Sequence, residues 1–451
     1  MRNRGGEMAG RGQSRMLWAA SVVRQLAASL AASCIVGLLL AITTAASGGE
    51  YRFHIGSKTI ARVSAEEPVA EENLGQPMEP TELPFGEFAG DECWSEGGCF
   101  DPYARDYWME LDYLLWWRKG IGLPALVTTS TQGTAFTDAG VLGLPTTTLL
   151  YGNTDVGDTS RPGGRFSMGA WCDPCRIWSV GGRFAFLGSS DSHFQLSSAD
   201  TTTLGRPFLN VTDNQVVQQD ALVAAFPGVR TGTVVVDATS EVLAGDAYLR
   251  RLISDDGRLR VEVHYGYQFS RIAESLTVRS ETNALDLAAE LRVMDQFQTR
   301  NEFHGGTLGL AYTVDDAWWS CRALIKVGLG NMHQSARLSG EQIIDDGVNA
   351  PVVSDTGLLV QSTNRGLFSR NTFAVVPELN LTGVFHLTPS IDLSLGYTYI
   401  YWNQVLQPGN TIDPSLAVNL AVPPVGQRPA RVLEDGGYWV HGVNMGVVWR
   451  Y

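Results

Sequence analysis

From residue 107 to the end of the chain, apolar and polar side chains alternate with a period of two. In 107–117 one face carries Tyr107, Met109, Leu111, Tyr113, Leu115 and Trp117, and the other carries Glu110 and Asp112. In 259–269 the faces are Leu259, Val261, Val263, Tyr265, Tyr267 and Phe269 against Arg260, Glu262, His264, Gly266 and Gln268. The segments 319–329 and 391–401 repeat the arrangement, with Arg322 and Lys326 on the polar face of one and Asp392 on that of the other. Neighbouring side chains of a strand point to opposite faces, so each segment has one apolar and one polar wall. Soluble strands usually run about 5–6 residues; these are longer and match the roughly 9–11 residues of a tilted strand that crosses a bilayer.

Connections alternate in length as well. Very short turns fall at 173–174, 254–257, 315–316 and 388–389, while long connections occupy 119–162, 188–242, 271–302, 333–372 and 404–437. The spacing predicts ten strands near 107–118, 163–171, 176–187, 243–252, 258–270, 303–314, 318–332, 373–387, 390–403 and 438–451. The segment 243–252 alternates poorly and the connections contain strand-like stretches such as 233–236, so the expected count is about 10 within a range of roughly 8–14. Open sheet edges cannot face lipid. The predicted fold is therefore all-β, a closed antiparallel transmembrane β-barrel with long extracellular loops, short periplasmic turns and both termini periplasmic.

Ten of the 12 Trp fall at or near predicted strand ends: Trp108, Trp116, Trp117, Trp171, Trp178, Trp318, Trp319, Trp402, Trp439 and Trp449. Amphipathic rings settle at the headgroup level, so two girdles are expected. The last strand ends with Val443, Met445, Val447, Trp449 and Tyr451 on one face. A soluble edge strand of this kind would be an aggregation hazard. As a membrane strand it instead presents Val447, Trp449 and Tyr451 as an assembly signal to the barrel-assembly machinery.

The first 106 residues read differently. Arg2, Arg4, Arg11, Arg15 and Arg24 precede an apolar, small-residue stretch over 26–46, which is the form of a secretory signal cleaved near Ala46. An uncleaved inner-membrane anchor is the rival reading. Residues 47–106 form an acidic flexible linker: 63–92 hold nine acidic residues, four Pro and no Lys or Arg. Like charges repel and nothing apolar is periodic, so this reads as a solvated spacer, with a cation- or partner-binding arm as the alternative. The third region, 107–451, is the barrel. A net charge of −14 with no basic run argues against nucleic-acid binding. The charged fraction of 18% is below the about 25% of a typical soluble chain.

Several stretches make the chain resemble the Putative beta barrel porin-7 family of bacterial outer-membrane proteins. They are ELDYLLWWRKGIGLPALVTTS at 110–130, RPGGRFSMGAWCD at 161–173, RPFLNV at 206–211, NEFHGGTLGL at 301–310, segments within 364–413 including GYTYIYWNQVLQPGNTID, and the terminal strand. The resemblance implies a barrel in the bacterial outer membrane and brings no substrate. Gln407 stands where the family pattern would place Arg before Pro408-Gly409, which counts against an anion-binding role for that loop.

Candidate chemistry is sparse. Cys93 and Cys99, and Cys172 and Cys175, are close enough in sequence to form disulfides in an exported protein, while Cys321 reads as a small lipid-facing hydrophobe. No His stands at ligand spacing near them, so no metal or cofactor is expected. The lumen-lining candidates are Glu110, Asp112, Glu262, Glu378 and Asp392 against Arg165, Arg183, Arg260, Arg322 and Lys326. Mutual neutralisation is the default for charges inside a closed wall; rings of charge that select ions are the alternative. At ten strands a plugged or narrow lumen is expected, because wide aqueous channels belong to about 16–18 strands. His193, His304 and His333, with Asp191, Asp295 and Ser335, form no recognisable hydrolase pattern, so no enzyme is expected. The Gly pairs at 163–164, 181–182 and 305–306 give room for curvature, and Arg250-Arg251 reads as a solvated strand end. Two functions stand: a porin or narrow channel for small solutes or ions, with a polar charged lumen, and a structural or surface-interaction barrel acting through its long loops. Outer-membrane lipid is a partner in both.

Overall fold

A computed structural model describes residues 107–451 except 214–215, 286–287 and 418–427; the expected signal, the linker, Cys93 and Cys99 lie outside the described residues. Ten strands close into one antiparallel ring: β1 (Tyr107–Arg118), β2 (Arg161–Trp171), β3 (Trp178–Ser197), β4 (Arg230–Asp255), β5 (Leu259–Ala284), β6 (Ala289–Asp315), β7 (Trp319–Asp345), β8 (Gly366–His386), β9 (Ile391–Leu406) and β10 (Asp435–Arg450). Each pairs with its neighbours in sequence, and β1 pairs with β10 to complete the circle. The start of β1, the end of β10 and the turns at 172–177, 256–258, 316–318 and 387–390 share one rim, the turn end.

The connections expected at 188–242, 271–302 and 333–372 are corrected by the structure, for they are mostly strand. β4 to β7 run 26 or 27 residues each. Their polarity inverts midway. Along β5, Leu259 to Phe269 face outward as an apolar row and Arg260, Glu262, His264 and Gln268 face inward. Beyond Ser270 the outward row becomes Arg271, Ser275, Arg279 and Glu281, while Ile272, Leu276 and Val278 face inward and are buried. One half of the barrel therefore suits lipid outside and polar groups inside; the other suits water outside and an apolar core inside. An alternation pattern followed by its apolar outer face ends where that face ends.

The loop-end core is filled by the connections themselves. Val127–Ser130, Thr147–Tyr151, Leu204–Asp213 and Val216–Ala225 form a small antiparallel sheet, with Ser415–Leu416 added in parallel. Its Val127, Leu204, Phe208 and Ala224 pack against Val234 and Val236 of β4, Leu276 and Val278 of β5, Phe297 of β6 and Leu338 of β7. Each large side chain so buried contributes roughly 1.5–3 kcal/mol. The long connections are thus a folded plug.

Around the turn-end half, Leu111, Tyr113, Met168, Phe186, Leu308, Ile325, Phe385 and Leu395 stand exposed in a continuous belt. Aromatic rings mark both edges. Trp178, Trp318, Trp319 and Trp449 fall at the turn end. At the far edge Trp117, Trp439, Tyr397 and Tyr399 surround His441, whose Nδ1 lies 2.7 Å from Tyr397 OH. Four of the expected girdle rings are elsewhere: Trp116 and Trp402 are buried in the lumen, and Trp108 and Trp171 line it. They occupy inward positions of their strands, and a residue's place near a strand end does not reveal its face.

Candidate functional site

Register sets the charges of the lumen opposite one another. Asp112 on β1 faces Arg165 on β2, Arg183 on β3 faces Asp246 on β4, and Lys326 on β7 faces Glu378 on β8. Directly opposed unlike charges stabilise a sheet. Arg165 Nε donates to Asp112 at 2.8 Å. Arg183 donates to Asp246 and to Glu378, each at 2.5 Å, and Lys326 bonds Asp246 and, at 3.0 Å, Glu378. β3 and β8 are five strands apart in a ring of ten, so the Arg183–Glu378 pair crosses the lumen. Nine-tenths or more of every side chain in this network except Arg183 is buried. It closes the bore with ion pairs.

Immediately above, toward the loop end, lies a layer of apolar side chains. β1 supplies Leu114 and Trp116, β3 Leu187, β4 Val242, β5 Ile272, β6 Phe303, β7 Met332, β8 Ala374 and Val376, β9 Ile400 and Trp402, and β10 Tyr438 and Val440. Only β2 contributes no side chain: its inward residue is Gly163, opposite Leu114 and Leu187, and a Cβ there would meet Phe186 O at 2.4 Å. The layer is built from the wall, so moving a loop would not open it. Trp402 Nε1 donates across the bore to Ser270 at 2.8 Å, and Trp116 Nε1 donates to Asn444 on the neighbouring β10 at 2.7 Å. Between the two layers a void of only about 10 Å³ remains, roughly the space of a single water.

On the turn-end side the bore widens into a vestibule of about 790 Å³. Glu110, Glu262, Arg260, Arg322 and Asp392 all line it. Arg322 donates to Glu262 at 3.4 Å, and Asp392 receives Arg450 at 2.5 Å and His386 at 2.9 Å. Arg260 pairs with Asp255 at 3.0 Å, nearer the rim. Sequence reasoning missed Asp246, Arg250, His264, His386 and Arg450. Asp246 and Arg250 lie in the weakly alternating segment, where Ala244, Gly245 and Ala247 hide the period; Arg450 and His386 sit at strand ends. Arg250 corrects the reading of a solvated end. It is 5% exposed, donates to Ser179 at 2.9 Å and lies over the Trp108 ring at 4.2 Å.

Beyond the apolar layer, inward polar residues of the wall hold the plug. The Asp295 carboxylate on β6, fully buried, accepts the N–H groups of Leu358, Leu359 and Val360 at 3.2, 2.9 and 2.8 Å and the Arg206 guanidinium. Arg118 and Gln407 converge on Glu274, at 3.1 and 3.2 Å, and Asn301 exchanges two bonds with Leu406. Gln407 is buried between Glu274 and Gly120 O, so that position belongs to the plug. Asp413 accepts from Ala430 N–H, Ser415 N–H and Arg428; burial alone would raise its carboxyl, and these donors outweigh burial and hold it below its ordinary value.

The residues weighed for hydrolysis do not converge. His193 bonds Asp237, His304 bonds Tyr267 and His333 bonds Asn371. Among the described residues no cluster of three or more His, Cys, Asp or Glu is placed to hold a metal. Cys172 ends β2 with its N–H on Trp178 O, so Ile177 and Trp178 close the turn, whose backbone is held by Asp173. Cys175 is disulfide-bonded.

A family model described as Putative beta barrel porin-7 matches residues 108–451. No curated protein matches the chain. Among solved structures, the outer-membrane protease OmpT from Escherichia coli is 8% identical, with 78% of this chain and 98% of that chain covered and a TM-score of 0.37. A Pseudomonas aeruginosa FadL homologue is also 8% identical, over 77% and 90% of the two chains, with a TM-score of 0.22. An anion-selective porin from Comamonas acidovorans gives 8% identity, coverage of 77% and 99% and a TM-score of 0.17. At these scores none of them informs the site.

Proposed function

The chain belongs to the Putative beta barrel porin-7 family, and from that premise we propose that it is a bacterial outer-membrane barrel, closed to solute flow, that presents a rigid β-structured head for surface interaction. The observation that carries this reading is the apolar layer, to which nine of the ten wall strands contribute. Ion pairs crossing the bore beneath it and a folded plug above it act in the same direction. Desolvating an ion through such a layer is costly, which is how apolar constrictions gate pores. The head is the exposed alternative. β5 continues 14 residues past Ser270, roughly 35 Å above the belt at a tilt of about 40°. Binding residues concentrate on loops held by a rigid scaffold.

With both termini and the short turns on the periplasmic side, the head faces outward. A Cys placed at Val348, which is 86% exposed at the loop end, should then react with a membrane-impermeant maleimide on intact cells, while one at Asp256 should react only after permeabilisation. Reversed labelling would overturn the orientation. A channel is the second reading, favoured by the charged vestibule. It requires the apolar layer and the Arg183–Glu378 pair to separate, and sugar-driven swelling of liposomes carrying the protein would support it.

A further inference from the structure

The loop-end edge of the belt is not uniform. Tyr and Trp rings mark it on β9, β10 and β1, whereas on β5 and β6 it carries charge. Arg271 is the first outward residue of β5 past its apolar row, and register sets it opposite Glu302 on β6. One oxygen of Glu302, Oε1, accepts Arg271 Nε at 2.9 Å and Arg300 Nε and Nη2 at 3.0 and 2.7 Å. Two guanidiniums thus share one carboxylate, and their side chains remain 38% and 50% exposed. Glu241, the outward residue of β4 opposite Ala273, forms an ion pair with neither among the described residues. Donors on both arginines are left over for a ligand.

Directly beneath, on the belt side, the outward position of β6 is Gly306, flanked by Tyr267 of β5 and Leu329 of β7. A Cβ there would meet nothing nearer than Gly266 O at 4.0 Å. The missing side chain leaves a notch in the apolar wall between two half-exposed neighbours. His304, between the notch and the arginines, is held by its contact with the Tyr267 hydroxyl.

We propose that this patch holds one membrane lipid with an anionic phosphate headgroup, the phosphate on Arg271 and Arg300 and an acyl chain in the notch at Gly306. Guanidinium forks match phosphate oxygens, and basic pockets at a membrane surface bind such headgroups. Charge and position select that occupant: the spare donors are cationic, and the notch is continuous with the belt. The inference rests on the belt facing lipid, not on closure of the bore.

The test titrates the purified protein, in a neutral detergent, with phosphatidylglycerol and with phosphatidylcholine of the same acyl chains, and counts retained lipid by native mass spectrometry. Variants are first checked for heat-modifiable migration. One phosphatidylglycerol should be retained in preference to phosphatidylcholine, and the double variant R271Q/R300Q should weaken it about 5- to 30-fold, the scale of one or two basic groups at an anionic surface. The double variant R279Q/R292Q removes two arginines that are outward and exposed on the head, and should leave retention unchanged. Gly306→Leu should weaken retention with the arginines intact. Equal retention of the two lipids by the native protein, or an equal loss in both arginine variants, would overturn the headgroup site. Unchanged retention in Gly306→Leu would show that the patch takes a free phosphate group rather than a lipid, and would overturn the proposed occupant. Retention of neither lipid would overturn the proposal together with the lipid-facing belt on which it rests.

Discussion

At the scale of single residues, the lumen is governed by what each buried charge faces. Glu378, with no exposed side-chain surface, receives both Arg183 and Lys326. Truncating one partner of a buried pair strands the other, so Glu378→Ala should cost about 3–5 kcal/mol in a urea titration of the protein in lipid. Adding Arg183→Met should recover much of that loss, since apolar replacement of a buried pair is often neutral. Equal loss in single and double variants would mean that the network is not organised around this pair. Asp413 supplies the pH dependence. A depressed carboxyl contributes stability that is complete above its ordinary value of 3.8 and is lost as the pH falls through the lower folded value. Acidification below 3.8 should therefore release the Asp413–Ala430 contact, and Asp413→Asn should remove that dependence. The readout is proteolysis within 404–437 across a pH series with an acid-tolerant protease.

At the scale of elements, the deciding feature is the inversion of polarity along the tall strands. Val447→Arg places a charge on the outward face of β10 within the belt and should cost roughly 2–4 kcal/mol, less toward the interface. Ser275→Arg, outward on the loop-end half of β5, should stay within about 0.5 kcal/mol. Similar costs at both sites would place the belt elsewhere. The terminal residue differs again: Tyr451 is 74% exposed and bonded through its backbone to Tyr107. If it is an assembly signal, Tyr451→Ser should slow insertion in cells while leaving refolding in detergent intact. Gly409, in the connection after β9, admits no side chain, because a Cβ would fall 1.7 Å from Gly122 O. Gly409→Ala should push the Pro408–Thr411 turn away from Gly122 at about 1–3 kcal/mol and expose that connection to protease.

These elements also show what the sequence could reveal. The ten strands, their turns and the outward rows from Tyr107 to Trp117 and from Leu259 to Phe269 were readable, because lipid imposes an apolar face on each. The upper halves of β4 to β7 were not, since their outward rows are polar and their inward rows mix Glu274 and Asp295 with Leu276 and Phe297. The ten candidate charges all lie in the bore or at its rim, yet the Arg183–Glu378 contact joins strands on opposite sides of the ring. No local pattern encodes a contact of that kind. The apolar layer was equally hidden: it draws one to three residues from each strand that contributes, and in each strand these read as an interruption of the polar face.

At the scale of the whole molecule, the barrel is two environments joined at one plane, with a charge-lined vestibule below it and a packed plug above. Closure at that plane is the central claim, and planar-bilayer recording of the purified, heat-modifiable protein tests it most directly. Phe303→Gly with Trp402→Gly should remove two large side chains from the layer. The account predicts no discrete conductance steps for the native protein at any salt concentration, and steps in the double variant wherever the charged network beneath also yields. Stable, discrete steps in the native protein would contradict it.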